Sequence, residues 1–228
     1  MKLAIIPARA GSKRIKNKNL KFFCGRPIVE YSVDVAIKSG LFDEVMVSTD
    51  SKEILRVAKN RGASTPFFRS KKNSDDYATL GDVIFEVLEE YSKKNKFFDE
   101  VCCILPTAPF VTVSQLINAN NLLSSGFNSV FPVFNINYPI QRALKINDIK
   151  LNSVSMIWPK FLNTRTQDLD KAYIDSGQFY FLKTKAIYDE KAVFNSNSGV
   201  IIVDESEVHD IDTLEDWKTA EKKYKLLK

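Results

Sequence analysis

The sequence predicts an α/β fold, in which helices cover a mostly parallel sheet. Three observations lead to this prediction. Short apolar runs rich in β-branched residues recur along the chain, segments with helical spacing of apolar residues separate them, and capping residues precede several of those segments. Strands that alternate with helices build βαβ units, whose strands are parallel.

The predicted strands are the short apolar runs. Residues 3–6 end at Pro7, and 44–49 have the sequence EVMVST. Further strands are predicted over 101–105, 129–134, 179–182 and 200–203. Apolar runs of this length are typical of strands buried on both faces of a sheet.

The predicted helices have apolar residues three and four positions apart. The first begins at Pro27 and ends at Gly40, and the others are centred on 54–58, 83–91, 116–123 and 217–224. Polar residues three positions apart predict N-terminal capping boxes for three of these helices. The pairs are Asp50 with Glu53, Thr112 with Gln115, and Thr213 with Asp216.

The alternation of strands and helices stops after Asn135. Residues 135–172 contain short apolar pieces among asparagine, proline and charged residues, without the periodicity of a long helix. We therefore expect one domain over 1–228 with an insertion at about 135–172. Such an insertion is long enough to form a substrate lid or a dimer arm.

Composition limits the class of protein. The chain has 228 residues, of which 44% are hydrophobic and 27% charged, and no apolar run approaches the roughly 20 residues that cross a bilayer. Arg9 interrupts the first apolar stretch too early for a signal peptide. The odd number of cysteines, Cys24, Cys102 and Cys103, favours free thiols, so we expect a cytoplasmic protein without a membrane partner.

A basic loop follows the first predicted strand. Five cations fall within nine residues, and no acidic residue occurs from 1 to 27: the cations are Lys13, Arg14, Lys16, Lys18 and Lys21. Ligands of open α/β sheets bind beyond the carboxyl ends of the strands, so the loop is suited to a polyphosphate. It contains neither of the glycine-rich nucleotide motifs, since Gly11 stands alone. A solvated basic loop is the alternative.

Several motifs resemble those of one enzyme family. PARAGSKR (7–14) and KNKNL (16–20) come first, followed by VSTD (47–50), FR (68–69), DDYAT (75–79), PTAP (106–109) and DIDT (210–213). Together they are similar to the cytidylyltransferases that activate nine-carbon sugar acids, the CMP-sialic acid synthetase group. Within this family the chain most resembles the pseudaminic acid branch. Four motifs carry that resemblance: LPTAPF (105–110), PIQRALK (139–145), NTRTQDL (163–169) and DSGQFY (175–180).

The resemblance implies a reaction and an architecture. The anomeric hydroxyl of a 2-keto sugar acid attacks the α-phosphorus of CTP, and pyrophosphate leaves. The implied fold is Rossmann-like, of the nucleotide-diphospho-sugar transferase type, with a small dimerisation subdomain at the insertion. The expected partners are therefore CTP, a nine-carbon sugar acid and a second copy of the chain, with Mg²⁺ as cofactor.

The resemblance also implies roles for the basic loop. Lys13 would stabilise charge that develops on the phosphates, and Arg9 and Lys18 would share this catalytic role. The implied nucleotide-binding residues are Ala8, Arg9, Ser12, Lys13, Asn19, Arg69 and Thr79.

Structural alternatives exist for two of these residues. Arg69 is also placed to form a salt bridge to the aspartates at 75–76, and Thr79 to cap the following helix. Of the other loop cations, we expect Arg14 and Lys16 to be plain surface charge.

The metal ligands implied are Asp210 and Asp212. In an extended segment both carboxylates lie on one side, with Ile211 turned towards the core. Two carboxylates together with substrate phosphates are a common way to hold Mg²⁺. Capping of the last helix by Asp212 or Thr213 is the alternative, and we expect His209 to be structural.

Sugar recognition is expected from the end of the third predicted strand and from the insertion. Leu105 stands where sialic acid synthetases carry glutamine, which argues for a less polar sugar substituent at this point. Arg142 and Arg165 are the nearest cations for the sugar carboxylate. The implied substrate-binding residues are Leu105, Thr107, Gln141, Arg142, Arg165, Gln167, Tyr173, Asp175 and Gln178, with Phe179 beside acetyl methyls.

Three other functions compete with this one. A nicotinamide-dependent oxidoreductase would need the glycine fingerprint and its acidic partner, which the first strand lacks. A nucleic-acid-binding module would need dispersed positive charge, whereas 28 acidic residues oppose the 33 basic ones, so no nucleic acid is expected. A related enzyme acting on sialic, legionaminic or deoxyoctulosonic acid stays open.

Overall fold

The computed structural model describes residues 1–227 and is built around a seven-stranded sheet. In spatial order its strands are β11, β6, β10, β5, β1 and β4, and β9 pairs with β6. Their bounds are β1 Lys2–Pro7, β4 Glu44–Ser48, β5 Glu100–Ile104, β6 Ser129–Asn135, β9 Tyr173–Asp175, β10 Phe179–Lys183 and β11 Ser198–Ile202. Two short strands, β2 Phe22–Phe23 and β3 Arg26–Pro27, pair separately.

The mostly parallel sheet is confirmed. Strand β1 runs parallel to both β4 and β5, and β11 runs parallel to β6. Strand β10 is antiparallel to both neighbours, β5 and β6. Because β1, β4 and β5 point the same way, the loops that follow them meet at one edge of the sheet.

Helices cover both faces of this sheet. Alternate residues of β1 face opposite ways: Ala4 and Ile6 join one apolar cluster, and Leu3 and Ile5 join the other. The helices that contribute to the first cluster are α1 Val29–Ser39, α2 Lys52–Asn60 and α4 Val113–Ser124. The second contains residues of α3 Leu80–Ser92 and α5 Thr184–Glu190.

The last helix, α6 Leu214–Leu226, packs beside the basic loop instead of on the sheet. Trp217 on α6 contacts Phe23 edge to face at 5.7 Å between ring centroids, and Ile211 is buried in the same cluster. Ile15 of the basic loop is buried there too. The cluster thus fixes the loop against the segment that carries Asp210 and Asp212.

Two of the three predicted capping boxes are confirmed. Thr112 with Gln115 and Thr213 with Asp216 form capping boxes, as predicted. The Asp50 cap is wrong: the helix begins at Lys52, so that Ser51 precedes it and accepts from the Ile54 N–H. The Asp50 carboxylate instead accepts the Ala10 N–H at 2.8 Å and ties the basic loop to the end of β4.

The insertion contains a hairpin, β7 Leu144–Asp148 with β8 Ser153–Met156, and no α-helix is assigned between 135 and 172. The rest of it consists of 3₁₀ turns and irregular chain. Within residues 1–227, the helices are all too short or too polar to traverse a lipid bilayer.

Candidate active site

Two adjoining clefts open at the edge of the sheet where β1, β4 and β5 end. The basic cleft, of about 480 Å³, is lined by Pro7, Arg9, Ser12, Lys13, Arg14, Ile15, Lys18, Asn19, Asp76, Pro106, Thr107 and Asp212. The mixed cleft, of about 440 Å³, is lined by Leu105, Phe134, Ile174, Asp175, Ser176, Gly177, Glu205, Val208, His209, Asp210 and Lys223.

The two clefts meet at two short segments. Leu105 lines the mixed cleft while Pro106 and Thr107, which follow it, line the basic one. Asp210 and Asp212 are divided in the same way. Neighbouring residues of the same two segments therefore line both clefts.

Backbone and amide hydrogen bonds hold the basic loop in place. The Ala8 N–H donates to Ser48 O at 2.9 Å, which continues the pairing of β1 with β4. The Asn19 amide donates to Arg9 O at 2.9 Å, and Asn17 adopts a left-handed conformation with φ 52°. Asparagine tolerates that conformation better than most residues. The loop therefore returns on itself and presents its cations to the cleft.

The four cations that line the basic cleft pair with two aspartates. Asp76 binds Arg9 and Lys13, and Asp212 binds Arg14 and Lys18. Arg9 Nη2 lies 2.7 Å from an Asp76 oxygen, and Lys13 forms an ion pair with the other oxygen. Arg14 Nη1 lies 2.7 Å from Asp212. Arg14 is an exposed surface charge, as expected, with 70% of its side chain exposed, but the loop also turns it towards Asp212, so that it lines the cleft.

Lys18 is the most enclosed of these cations, with 18% of its side chain exposed. Its Nζ lies 3.7 Å from Asp212, and Asp210 also acts on it electrostatically. Burial lowers the pKa of Lys18, and the two carboxylates oppose that shift. A partly dehydrated ammonium interacts more strongly with an anion than one in bulk water does.

Three predicted nucleotide residues, Ala8, Arg69 and Thr79, do not line the basic cleft, and Ala8 is fully buried. Arg69 is buried and donates to Ser48, with Nε at 3.0 Å from Oγ and Nη2 at 2.6 Å from O. The alternative of a salt bridge to the aspartates at 75–76 is therefore wrong, because Asp76 binds Arg9 instead. Thr79 caps α3 in a capping box with Asp82, as its alternative predicted.

The Asp210–Asp212 segment has the alternation expected of it. Ile211 is buried in the core, and the flanking carboxylates project to the two clefts. Asp210 and Asp212 both act electrostatically on Lys18, so their carboxylates are close to one another. Because Mg²⁺ prefers carboxylate oxygens as ligands, the two aspartates suit a Mg²⁺ ion that also binds phosphate oxygens. Over residues 1–227 no three acidic, cysteine or histidine side chains converge as a complete metal site.

The polar groups of the mixed cleft are held by neighbours. Asp175 accepts the Tyr180 hydroxyl at 2.7 Å and the Gly177 N–H at 2.9 Å. Lys223 donates to Glu205 O at 2.5 Å and Val208 O at 2.6 Å. His209 Nε2 lies 3.1 Å from Asp216 O. Each carboxylate oxygen of Asp175 accepts one of these hydrogen bonds, so each keeps a second lone pair for a ligand.

The remaining predicted sugar residues fall into two groups. Thr107 lines the basic cleft, and Gln178 lies behind the mixed cleft, where it donates to Glu207 O at 2.7 Å. The others belong to the insertion or its edge and line neither cleft: Gln141, Arg142, Arg165, Gln167 and Tyr173. Phe179 is fully buried in the sheet core, because it pairs with Ile104 in the centre of the sheet.

Arg142 and Arg165 bind within the insertion. Arg142 donates to the carbonyls of Leu162 and Thr164, and Arg165 forms an ion pair with Asp168 at 2.7 Å. Their proposed contact with a sugar carboxylate stays a prediction. Sequence reasoning missed Asp76, Phe134, Ile174, Glu205 and Lys223, whose places depend on contacts between distant segments.

Comparison with known proteins agrees with this geometry. A family model described as cytidylyltransferase matches residues 3–216. The chain is 41% identical over 225 residues to the pseudaminic acid cytidylyltransferase of Campylobacter jejuni subsp. jejuni serotype O:2, covering 98% of this chain and 96% of that one. It is 30% identical to the CMP-N,N'-diacetyllegionaminic acid synthase of Legionella pneumophila, covering 96% and 94%.

A solved structure shares the fold. CMP:2-keto-3-deoxy-manno-octonic acid synthetase, complexed with CTP, superimposes with a TM-score of 0.73 at 14% identity and covers 100% of this chain and 99% of that one. The family match spans β1 to the first turn of α6, and so includes every residue that lines the two clefts except Lys223. The chain belongs to the cytidylyltransferase family.

Proposed function

We propose that the chain transfers CMP from CTP to the anomeric hydroxyl of pseudaminic acid and releases pyrophosphate. The observation that carries the proposal is the pair of clefts that meet at 105–107 and 210–212. One is rich in cations and suits a triphosphate, and the other is partly apolar and suits a deoxy sugar. The 41% identity to a protein named for this activity supports the choice of sugar.

The proposed reaction joins ligands held in the two clefts. The anomeric oxygen attacks the α-phosphorus of CTP, the bond from that phosphorus to the bridging oxygen of the β-phosphate breaks, and the hydroxyl proton passes to solvent. Arg9, Lys13 and Lys18 balance charge on the phosphates as it moves to pyrophosphate. Fixed cations are effective here because they do not reorganise during the reaction.

Mg²⁺ is part of the proposal. Asp210 and Asp212 would hold it, since their oxygens face the two clefts from one short segment. The bound ion would neutralise phosphate charge and orient the phosphate oxygens. The two aspartates would hold such an ion where the two clefts meet.

A homodimer is also proposed, with the 135–172 insertion of the single domain as its contact. The hairpin exposes apolar side chains on both strands and on its turn: Leu144, Ile146, Ile149, Leu151 and Val154. Exposed apolar patches of this kind mark interaction surfaces.

The proposed setting is the cytoplasm. All three cysteines are free, and two are fully buried in β5, as suits a reducing compartment. We propose no nucleic-acid or membrane partner, because three of the five clustered cations, Lys13, Arg14 and Lys18, line the basic cleft and pair with Asp76 or Asp212.

Sialic, legionaminic and deoxyoctulosonic acids are the alternative substrates. Leu105 at the mixed cleft favours pseudaminic acid, whose tail ends in a methyl group, over sialic and deoxyoctulosonic acids, whose tails end in a hydroxyl. Legionaminic acid also ends in a methyl group, and against it the choice rests on the higher identity to the pseudaminic acid enzyme. A site without a hydrogen-bonding partner leaves a substrate hydroxyl unpaired, which costs roughly 1–3 kcal/mol.

Pyrophosphate release with CTP, Mg²⁺ and a panel of sugar acids tests the proposal. We expect kcat/KM for pseudaminic acid to exceed that for N-acetylneuraminic acid by at least about tenfold. Leu105→Gln should narrow this ratio without reversing it. Equal use of both acids would overturn the choice of sugar and leave cytidylyl transfer standing, whereas ATP used as well as CTP would overturn the choice of nucleotide.

A further inference from the structure

The mixed cleft has an apolar wall that the proposed reaction does not yet explain. Phe134 on β6 and Ile174 on β9 are direct partners in the antiparallel pairing of these strands. Residues directly opposite each other project from the same face of a sheet, with their Cβ atoms about 5 Å apart. Both side chains line the cleft, so they form one surface, here called the Phe134–Ile174 wall.

The wall is accessible to a ligand. Ile174 is 46% exposed and Phe134 is half-buried, although both lie within strands of the main sheet. Phe131 and Val133, earlier on β6, are buried in the core. The change from buried to accessible apolar side chains therefore occurs where β6 reaches the cleft.

Polar groups surround the wall and limit how a ligand can lie. Asp175 follows Ile174 and is fixed by Tyr180, while Lys223 and His209 line the same cleft. A ligand here must present hydrogen-bonding groups to these side chains and an apolar group to the wall. Small-molecule sites commonly combine apolar walls with a few placed polar groups in this way.

We propose that the Phe134–Ile174 wall binds the methyl group that ends the tail of the sugar acid and determines selectivity against sugars whose tail ends in a hydroxyl. This inference rests on the proposed function and adds two specificity residues to it. A methyl group placed against the wall displaces water from both side chains, whereas a hydroxyl in its place loses its water without gaining a partner.

Two conservative variants test the proposal. Ile174→Thr keeps a β-branched side chain at a half-exposed position and replaces the ethyl branch by a hydroxyl. Phe134→Leu keeps the position apolar but shortens it. We expect each variant to raise KM for pseudaminic acid by about tenfold, the scale of small apolar differences in enzyme pockets. The KM for CTP at saturating sugar should not change.

Ile202→Thr on edge strand β11 is the matched control. Ile202 is 64% exposed and lines neither cleft, so the same chemical change there should leave both KM values as they are. Selectivity is the second measurement: Ile174→Thr should reduce the kcat/KM ratio of pseudaminic acid to N-acetylneuraminic acid.

The outcomes separate this inference from the function on which it rests. If the unaltered chain releases no pyrophosphate from CTP with any sugar acid, the proposed function is overturned and the inference with it. If the unaltered chain is active but both variants keep its sugar KM and its selectivity, the inference alone is overturned.

Discussion

The basic and mixed clefts differ in how the chain builds them. Eight of the twelve residues that line the basic cleft lie between Pro7 and Asn19. The mixed cleft draws on β6, β9, α6, the end of β5 and the 205–210 segment. The basic cleft, proposed to bind the triphosphate, is thus mostly one continuous loop, whereas the mixed cleft, proposed to bind the sugar, exists only after distant segments have paired. The difference explains why the motifs of the first are visible in the sequence.

The clefts also differ in charge. Four cations and two aspartates line the basic cleft, so each acid is shared between cations. The mixed cleft has three acids, one lysine, one histidine and several apolar side chains. The first suits a highly charged ligand of simple shape, and the second suits a ligand recognised by the pattern of its substituents. Variants that affect one ligand but not the other test this division.

The largest effect is expected at the boundary between the clefts. Asp212→Asn should reduce turnover by about 10²-fold or more, the scale of loss for a key electrostatic group. Asp210→Asn should behave similarly but more mildly. Turnover is measured as a function of Mg²⁺, with Asp189→Asn on the exposed end of α5 as control. Unchanged turnover of both variants at limiting Mg²⁺ would show that these carboxylates are structural.

A smaller effect confined to the sugar is expected for Tyr180→Phe. This change removes the hydroxyl that holds Asp175, and a lost hydrogen bond of this kind corresponds to about two- to tenfold in KM for the sugar acid. The KM for CTP should stay constant. Tyr91→Phe is the control, because Tyr91 is also buried and donates to a carboxylate, Glu44, away from both clefts. A change in CTP affinity alone would contradict the division of the clefts.

The smallest effect is expected for Asp76→Asn, and its sign is a gain. Asp76 pairs with Arg9 and Lys13, the cations proposed to bind phosphate, and these bonds hold the pKa of its carboxyl below the usual range. Asp76 is therefore ionised at neutral pH and competes with the phosphates. Its removal should tighten CTP binding by about two- to fivefold, since exposed ion pairs are weak.

Calorimetry with CTP measures this gain. The control is Glu90→Gln, which removes the exposed Glu90–Lys93 ion pair on the far end of α3 and should not change CTP affinity. Weaker CTP binding by Asp76→Asn would show instead that Asp76 positions the two cations for the nucleotide.

Much of the fold could be predicted because its signals are local. The capping boxes at Thr112 and Thr213 depend on residues three positions apart, and the buried strands on continuous apolar runs. The prediction that Asp50 caps α2 is wrong because both Asp50 and Ser51 can act as an N-cap residue, and Ser51 occupies that position. Helix α5 was missed because its seven residues include only a few apolar positions.

The site was predicted as far as single segments allow. Arg9, Lys13 and Lys18 are visible as a basic loop behind a strand, but the contact of Arg14 with Asp212 spans 198 positions and has no local signal. Ile174 reaches the mixed cleft through its pairing with Phe134 on β6, on the other side of the insertion. The sequence shows both residues but not that they meet.

The separation of the two linings has a consequence for how such enzymes diversify. The clefts share no lining residue and meet at 105–107 and 210–212, so substitutions on β6, β9 or the 205–208 segment can alter the sugar partner while the 7–19 loop stays intact. Relatives named for pseudaminic and legionaminic acids match this chain over nearly its whole length. Exchange of the few side chains around the mixed cleft is therefore a direct route to changing which sugar acid is activated, while the residues of the basic cleft are kept.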